Sequence, residues 1–132
     1  MSREIKFRAY HKERKEIFEI ASIDFEEKKA TLSNGVIKLL NVDFKQFELL
    51  QYTGLKDKNG KEIYEVDIVK ILKLEGYGEY CDQVECIGKI ECYISEFRIQ
   101  PLNLRLSDES IVEIEVVGNI YENKNLLEEN NW

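Results

Sequence analysis

A mainly β fold in two parts is what this chain predicts, and three features predict it. Apolar residues alternate with polar ones more than they recur at helical spacing. Short turn signals, two of them Asn-Gly, break the chain at regular intervals. A single proline, Pro101, and the lack of a Gly/Ser-rich stretch or repeat leave no room for a long linker. Many short strands joined by turns pack as a small sandwich or barrel. The expected division is an N-terminal β-rich subdomain over 1–52 and an SH3-like small barrel with a short tail over 53–132.

The elements follow in order. "EIKFRAY" places Ile5, Phe7 and Ala9 on one face of a strand, and His11 and "KERKE" then form an exposed turn. In "EIFEIASIDF", Phe18 and Ile20 share one parity and Ile23 and Phe25 the other, which places a bulge or turn near Ala21-Ser22. "KATLSNGVIKLL" sets Asn34-Gly35 between apolar pairs. That is a hairpin signal, because both central residues of a type I′ turn need positive φ. "NVDFKQFELLQY" reads as a short turn into a strand, although Val42, Phe47 and Leu50 fit a helical stripe.

The second half alternates more cleanly. "VDIVKILKL" is a strand on β-propensity and "EGYGEYCDQ" a loop. "VECIGKIECYI" puts Cys86, Ile90, Cys92 and Ile94 on one face, with Gly88 where the backbone bends or is closely approached. "EFRIQPL" is a short strand ended by Pro101, and "NLRLSDES" is a loop. "IVEIEVVGNIY" turns Val112, Ile114 and Val116 inward and Glu113 and Glu115 outward, and "ENKNLLEENNW" is a short helical or frayed tail. One core is expected from Ile68, Val69, Ile71, Ile90, Val112, Ile114 and Val116.

Composition narrows the function classes. The 132 residues are 43% hydrophobic and 34% charged, enough for a core without a metal or disulfide staple. Nineteen basic residues against 26 acidic ones give a net charge of -7. A field of that sign disfavours non-specific binding to nucleic acid or to an anionic membrane. "MSREIKFRAY" holds no secretory apolar core, and no apolar run nears the ~20 residues of a spanning helix. Cytoplasm is the expected compartment, and three cysteines fit reduced thiols.

The stretch "LLQYTGLKDKNGKEIYEVDIVKI", Leu49 to Ile71, is the densest in signals. Asn59-Gly60 marks a tight turn, and Asp57 is placed to accept backbone N–H bonds as an Asx-turn residue. "DKNG" also matches the middle of a calcium loop. In that frame the first and twelfth ligand positions fall on Leu55 and Val66, neither of which binds a cation. Tyr64–Asp67 then resembles the diverging turn that enters an SH3-like barrel. Its third residue often needs positive φ, where Val66 would be strained. Either the turn is of another type, or the frame is displaced by a residue.

"REIKFRAY", the stretch just quoted and "IEVVGNIYENKNLL" together resemble the YopX family of phage and prophage proteins, from Arg3 to Leu127. Two departures show. Tyr10-His11 replaces the usual Trp-Asp, a change expected to touch only a surface hairpin, and Glu65-Val66-Asp67 replaces Glu-Gly-Asp. The resemblance implies a β-rich fold with an SH3-like C-terminal part and a phage-encoded protein in a bacterial host. It implies no activity and no catalytic residues.

No catalytic set emerges from the residues. His11 is the one histidine and has no nucleophile elbow beside it. Cys81, Cys86 and Cys92 lack a paired zinc spacing; Cys86 and Cys92 read as small core residues and Cys81 as exposed. Asp24, Glu26, Glu27, Glu65, Asp67, Glu113 and Glu115 are dense carboxylates, which on alternating strands normally form the solvated face. No metal and no cofactor are expected. The tyrosines are numerous, and tyrosine suits interfaces. The candidate interaction surface is therefore Tyr52, Asp57, Asn59, Tyr64, Tyr77 and Tyr80. The leading reading is a non-catalytic module that binds a host or phage protein or a second copy of itself. Nucleic-acid association, including an acidic DNA mimic, is the alternative, and a carboxylate-based hydrolase is the third.

Overall fold

The computed structural model describes residues 5–76, 79, 81–93, 96–123 and 125–126. Among them the fold is mainly β, with two antiparallel sheets and two compact units, Met1–Tyr52 and Thr53–Trp132.

The first unit carries β1 (Phe7–His11), β2 (Glu16–Asp24), β3 (Lys29–Ser33), β4 (Lys38–Asp43), a 3-10 turn at Phe44–Gln46 and the start of β5 (Phe47–Lys56). The order across the sheet is β4-β3-β2-β1-β5. Its core face collects Ala9, Phe18, Ala30, Leu32, Val42 and Phe47, with Ile20 and Ile23 packed against them. Each large side chain so buried contributes about 1.5–3 kcal/mol. The parity change in β2 is a bulge: Ile20 faces Leu32, Ser22 faces Thr31, and Ala21 is the extra residue. Phe47 and Leu50 are buried from a strand rather than from a helical stripe.

Three local readings change here. Ile5 is 76% exposed, because it precedes the first paired residue of β1. The Asn34-Gly35 turn forms with only Gly35 at positive φ, so it is not type I′. The Asn34 side-chain oxygen, Oδ1, instead accepts the N–H groups of Val36 and Ile37. His11 is not in the turn. It ends β1, buried, its Nδ1 accepting the Arg14 N–H at 3.1 Å and its ring edge-on to Phe18 at 6.2 Å. The departure at Tyr10-His11 therefore reaches the core, and the exposed tip is Lys12–Lys15.

The second unit carries the end of β5, β6 (Glu62–Tyr64), β7 (Asp67–Glu75), β8 (Asp82–Tyr93), β9 (Glu96–Gln100), β10 (Leu104–Arg105) and β11 (Ile111–Asn119). Its five-stranded antiparallel sheet runs β10-β9-β8-β7-β11. Val69, Ile71, Ile90 and Ile99 form its core with Ile63. Gly88 is required by close approach. A Cβ there would lie 2.6 Å from the Ile99 Cγ2 and 2.8 Å from the Gln100 carbonyl oxygen.

Strand β11 corrects the expected register. A bulge between Ile111 and Glu113 leaves Val112 48% exposed and turns Ile111 inward beside Ile114 and Val116. Glu113 and Glu115 face outward as expected, opposite Leu72 and Lys70. Ile68 is buried but lies outside the Val69 cluster, since neighbours in a strand point to opposite faces. Cys92, read as a core residue, is exposed near the end of β8, whereas Cys86 is half-buried against the core. "NLRLSDES" holds the short β10 as well as loop. Ile94 and most of the tail lie outside the described residues.

Candidate interaction site

The Leu49–Ile71 stretch is a structural corner, and Asp57 is its fastener. One carboxylate oxygen, Oδ1, accepts the N–H groups of Asn59 and Lys61, both at 2.9 Å. The other, Oδ2, accepts the Val116 N–H at 2.9 Å, and the Lys58 N–H donates to the Ile114 carbonyl. The turn thus satisfies backbone groups along β11, a common protection for a strand edge. Burial raises the Asp57 carboxyl, but the N–H groups of Val116, Lys61 and Asn59, helped by the Lys61 charge, outweigh it and leave its pKa below the ordinary value. A carboxylate so occupied has its lone pairs committed to the backbone, against the calcium reading.

The Glu65-Val66-Asp67 turn keeps the glycine-like geometry without the glycine. Val66 has φ +64°, the left-handed region, where a β-branched residue is strained. Three bonds hold it there. Its N–H donates to the Ile90 carbonyl at 2.8 Å, its carbonyl accepts the Ile120 N–H at 3.0 Å, and the Asp67 carboxylate accepts the Tyr64 N–H at 2.9 Å.

These placements revise the candidate surface. Tyr52 and Tyr64 are 6% and 1% exposed and Asp57 is 7% exposed, so all three pack or fasten rather than face a partner. The Tyr64 hydroxyl donates to Glu62. Asn59 is exposed and reaches Glu115 at 3.4 Å. Tyr77 and Tyr80 lie outside the described residues.

Glu113 and Glu115 line a hollow of about 240 Å³ together with Glu85, and Lys58 and Lys70 stand in it with them. Glu113 pairs with Lys58 and Glu115 with Lys70, and the Asp24 carboxylate accepts the N–H groups of Glu26 and Glu27. Among the described residues no group of three or more His, Cys, Asp or Glu is placed to hold a metal. Burial pushes the Cys86 thiol up, with Glu75 and Glu85 reinforcing and Lys73 opposing, so it is held as the unreactive thiol.

What the structure adds is an apolar groove on the first unit. Ile23, Phe25, Phe44, Phe47 and Leu49 line about 240 Å³. Phe44 stands between two rings, edge-on to Phe25 at 6.1 Å and to Phe47 at 5.7 Å. Phe25 is 67% and Leu49 40% exposed. Two turns hold the walls. Asp43 caps the 3-10 turn, accepting the Lys45 N–H while Gln46 accepts the Asp43 N–H. The Phe44 N–H donates to the Lys28 carbonyl. Ile23 and Phe25 also line a second, polar hollow, with Asp24, Glu27 and Lys29 on its walls. Nothing in the sequence joins Phe25 to Phe47, because the end of β2, the 3-10 turn and β5 meet only in the folded sheet. An exposed phenylalanine just past a strand end was the available signal.

Among the described residues no helix is long and apolar enough to cross a membrane. A family model described as "YopX protein" matches residues 6–128. Comparison with curated proteins gives no significant match. Among solved structures the chain is similar to protein EF1440 from Enterococcus faecalis, at 25% identity and a TM-score of 0.63, over 96% of this chain and 99% of that one.

Proposed function

This chain belongs to the YopX protein family, and from that premise we propose that it is a phage- or prophage-encoded binding module without catalytic activity, acting in the host cytoplasm on a protein partner or on a second copy of itself. The observation that supports this reading is the open aromatic groove formed by Phe25, Phe44 and Phe47 with Ile23 and Leu49. An apolar pocket whose walls are fixed before binding loses little entropy on filling. Of the dense carboxylates a hydrolase would draw on, Glu113 and Glu115 pair with lysines, and Asp24 and Asp67 accept backbone N–H groups.

Charge favours a second reading. Residues 1–52 carry ten basic and nine acidic side chains, whereas 53–132 carry nine basic and 17 acidic. A C-terminal unit so negative suits an acidic decoy for a basic, DNA-binding protein surface.

Light scattering and affinity capture from cells carrying the prophage test the proposal, with Phe25→Asp as control. A captured protein, purified and shown to bind the wild type but not the variant, supports it. So does a multimer that the variant dissolves. A monomer with no partner in either form refutes it. Binding of a basic partner that survives Phe25→Asp but vanishes with salt turns the result to the acidic decoy.

A further inference from the structure

Resting on the binding-module reading, we infer that the aromatic groove takes one large apolar side chain of an extended, positively charged segment from a foreign protein, rather than a small molecule or a second copy of the chain. Size supports the first part. The cavity of about 240 Å³ is below the ~300–1,000 Å³ typical of cofactor and metabolite sites. It suits a single anchoring side chain, the element that dominates most interfaces.

Area argues against a second copy here. A phenylalanine presents on the order of 200 Å², of which Phe25 leaves 67% exposed. With Leu49 added, the open apolar surface is on the order of 200–300 Å², against ~800 Å² per partner in a standard stable interface. Aromatic walls fixed by the Asp24 and Asp43 turns give a preformed socket.

Charge chooses the segment. The turns that carry the groove, residues 22–29 and 41–48, hold Asp24, Glu26, Glu27, Asp43 and Glu48 against three lysines. The rest of the first unit has the opposite balance, seven basic residues to four acidic ones. Asp24 and Glu27, with Lys29, line a hollow that shares Ile23 and Phe25 with the groove. Lysine or arginine beside the anchor would meet these carboxylates, and the net charge of -7 would speed the encounter.

A labelled peptide of about twelve residues tests this: one central phenylalanine, two lysines on each side, and Gly/Ser elsewhere. Fluorescence anisotropy compares it with a Phe→Ser version and a version whose lysines are glutamates. Saturable binding, at least tenfold weaker for each altered peptide and for the Phe25→Asp and Leu49→Ser proteins, is the expected result. Both substitutions lie at exposed positions, and a melting curve confirms that each variant folds. Equal binding of the Phe→Ser peptide, equal binding by both protein variants, or no binding would overturn the inference. A dimer that Phe25→Asp dissolves would also overturn it, while leaving the binding-module reading intact. A monomer that neither the peptide nor any cellular partner engages would refute both.

Discussion

Replacing Val66 by alanine and, separately, by glycine isolates the backbone strain in the Glu65-Val66-Asp67 turn. Both variants lose the same half-buried methyl groups, so the difference between them reports the φ of +64°. An L-residue in the left-handed region costs about 1–2 kcal/mol relative to one without a Cβ. Glycine offsets part of this, since its freer unfolded chain costs about 0.5–1 kcal/mol against alanine. The turn cannot relax to avoid the strain, because Ile90, Ile120 and the Asp67–Tyr64 bond pin both sides of it. Val66→Gly should therefore be more stable than Val66→Ala by about 0.5–1 kcal/mol, the reverse of the usual order. In a chain of this size that is a difference of about 2–4 °C in melting temperature. Urea unfolding followed by circular dichroism measures it. An alanine variant as stable as the glycine variant, or more so, would show that residue 66 does not hold a left-handed conformation in solution.

Other outcomes follow from the same geometry. Ile71→Ala, at a fully buried position, should cost about 2–5 kcal/mol. Glu113→Ala, on the outer face, should stay within about 0.5 kcal/mol, and equal losses in urea melts would contradict the register. Asp57→Asn should destabilise the fold at pH 7 by about 2 kcal/mol, since a charged acceptor is lost. The Asp57 carboxyl sits below its ordinary pKa. Its contribution is therefore full above the unfolded value near 4 and fades as pH falls through the folded one. The gap between wild type and variant should accordingly shrink by about pH 3, and a pH-independent gap would count against the charge. Gly88→Ala should cost about 1–3 kcal/mol because the new methyl meets the Gln100 carbonyl; an unchanged melting temperature would mean that β8 and β9 approach less closely.

The mainly β class, the two Asn-Gly turns, the β2 bulge and the Asp57 Asx turn were legible in the chain itself. Each depends on local chemistry: alternation, the conformational freedom of glycine, and a carboxylate within reach of its own backbone. The outward Glu113 and Glu115 were legible for the same reason. The extra residue in β11, which exchanged Val112 for Ile111, was not, because a bulge is set by the register against β7 and leaves no local mark. Nor was burial of His11, Tyr52 and Tyr64, whose types suit core and surface alike. Val66 posed a choice that the sequence could frame but not decide. Local propensity spoke against positive φ, and the bonds to Ile90 and Ile120, from segments distant in the chain, together with the Asp67–Tyr64 bond, hold it there. The aromatic groove belongs to the same class. Phe25, Phe44 and Leu49 come from three separate elements, and their meeting is a property of the folded sheet.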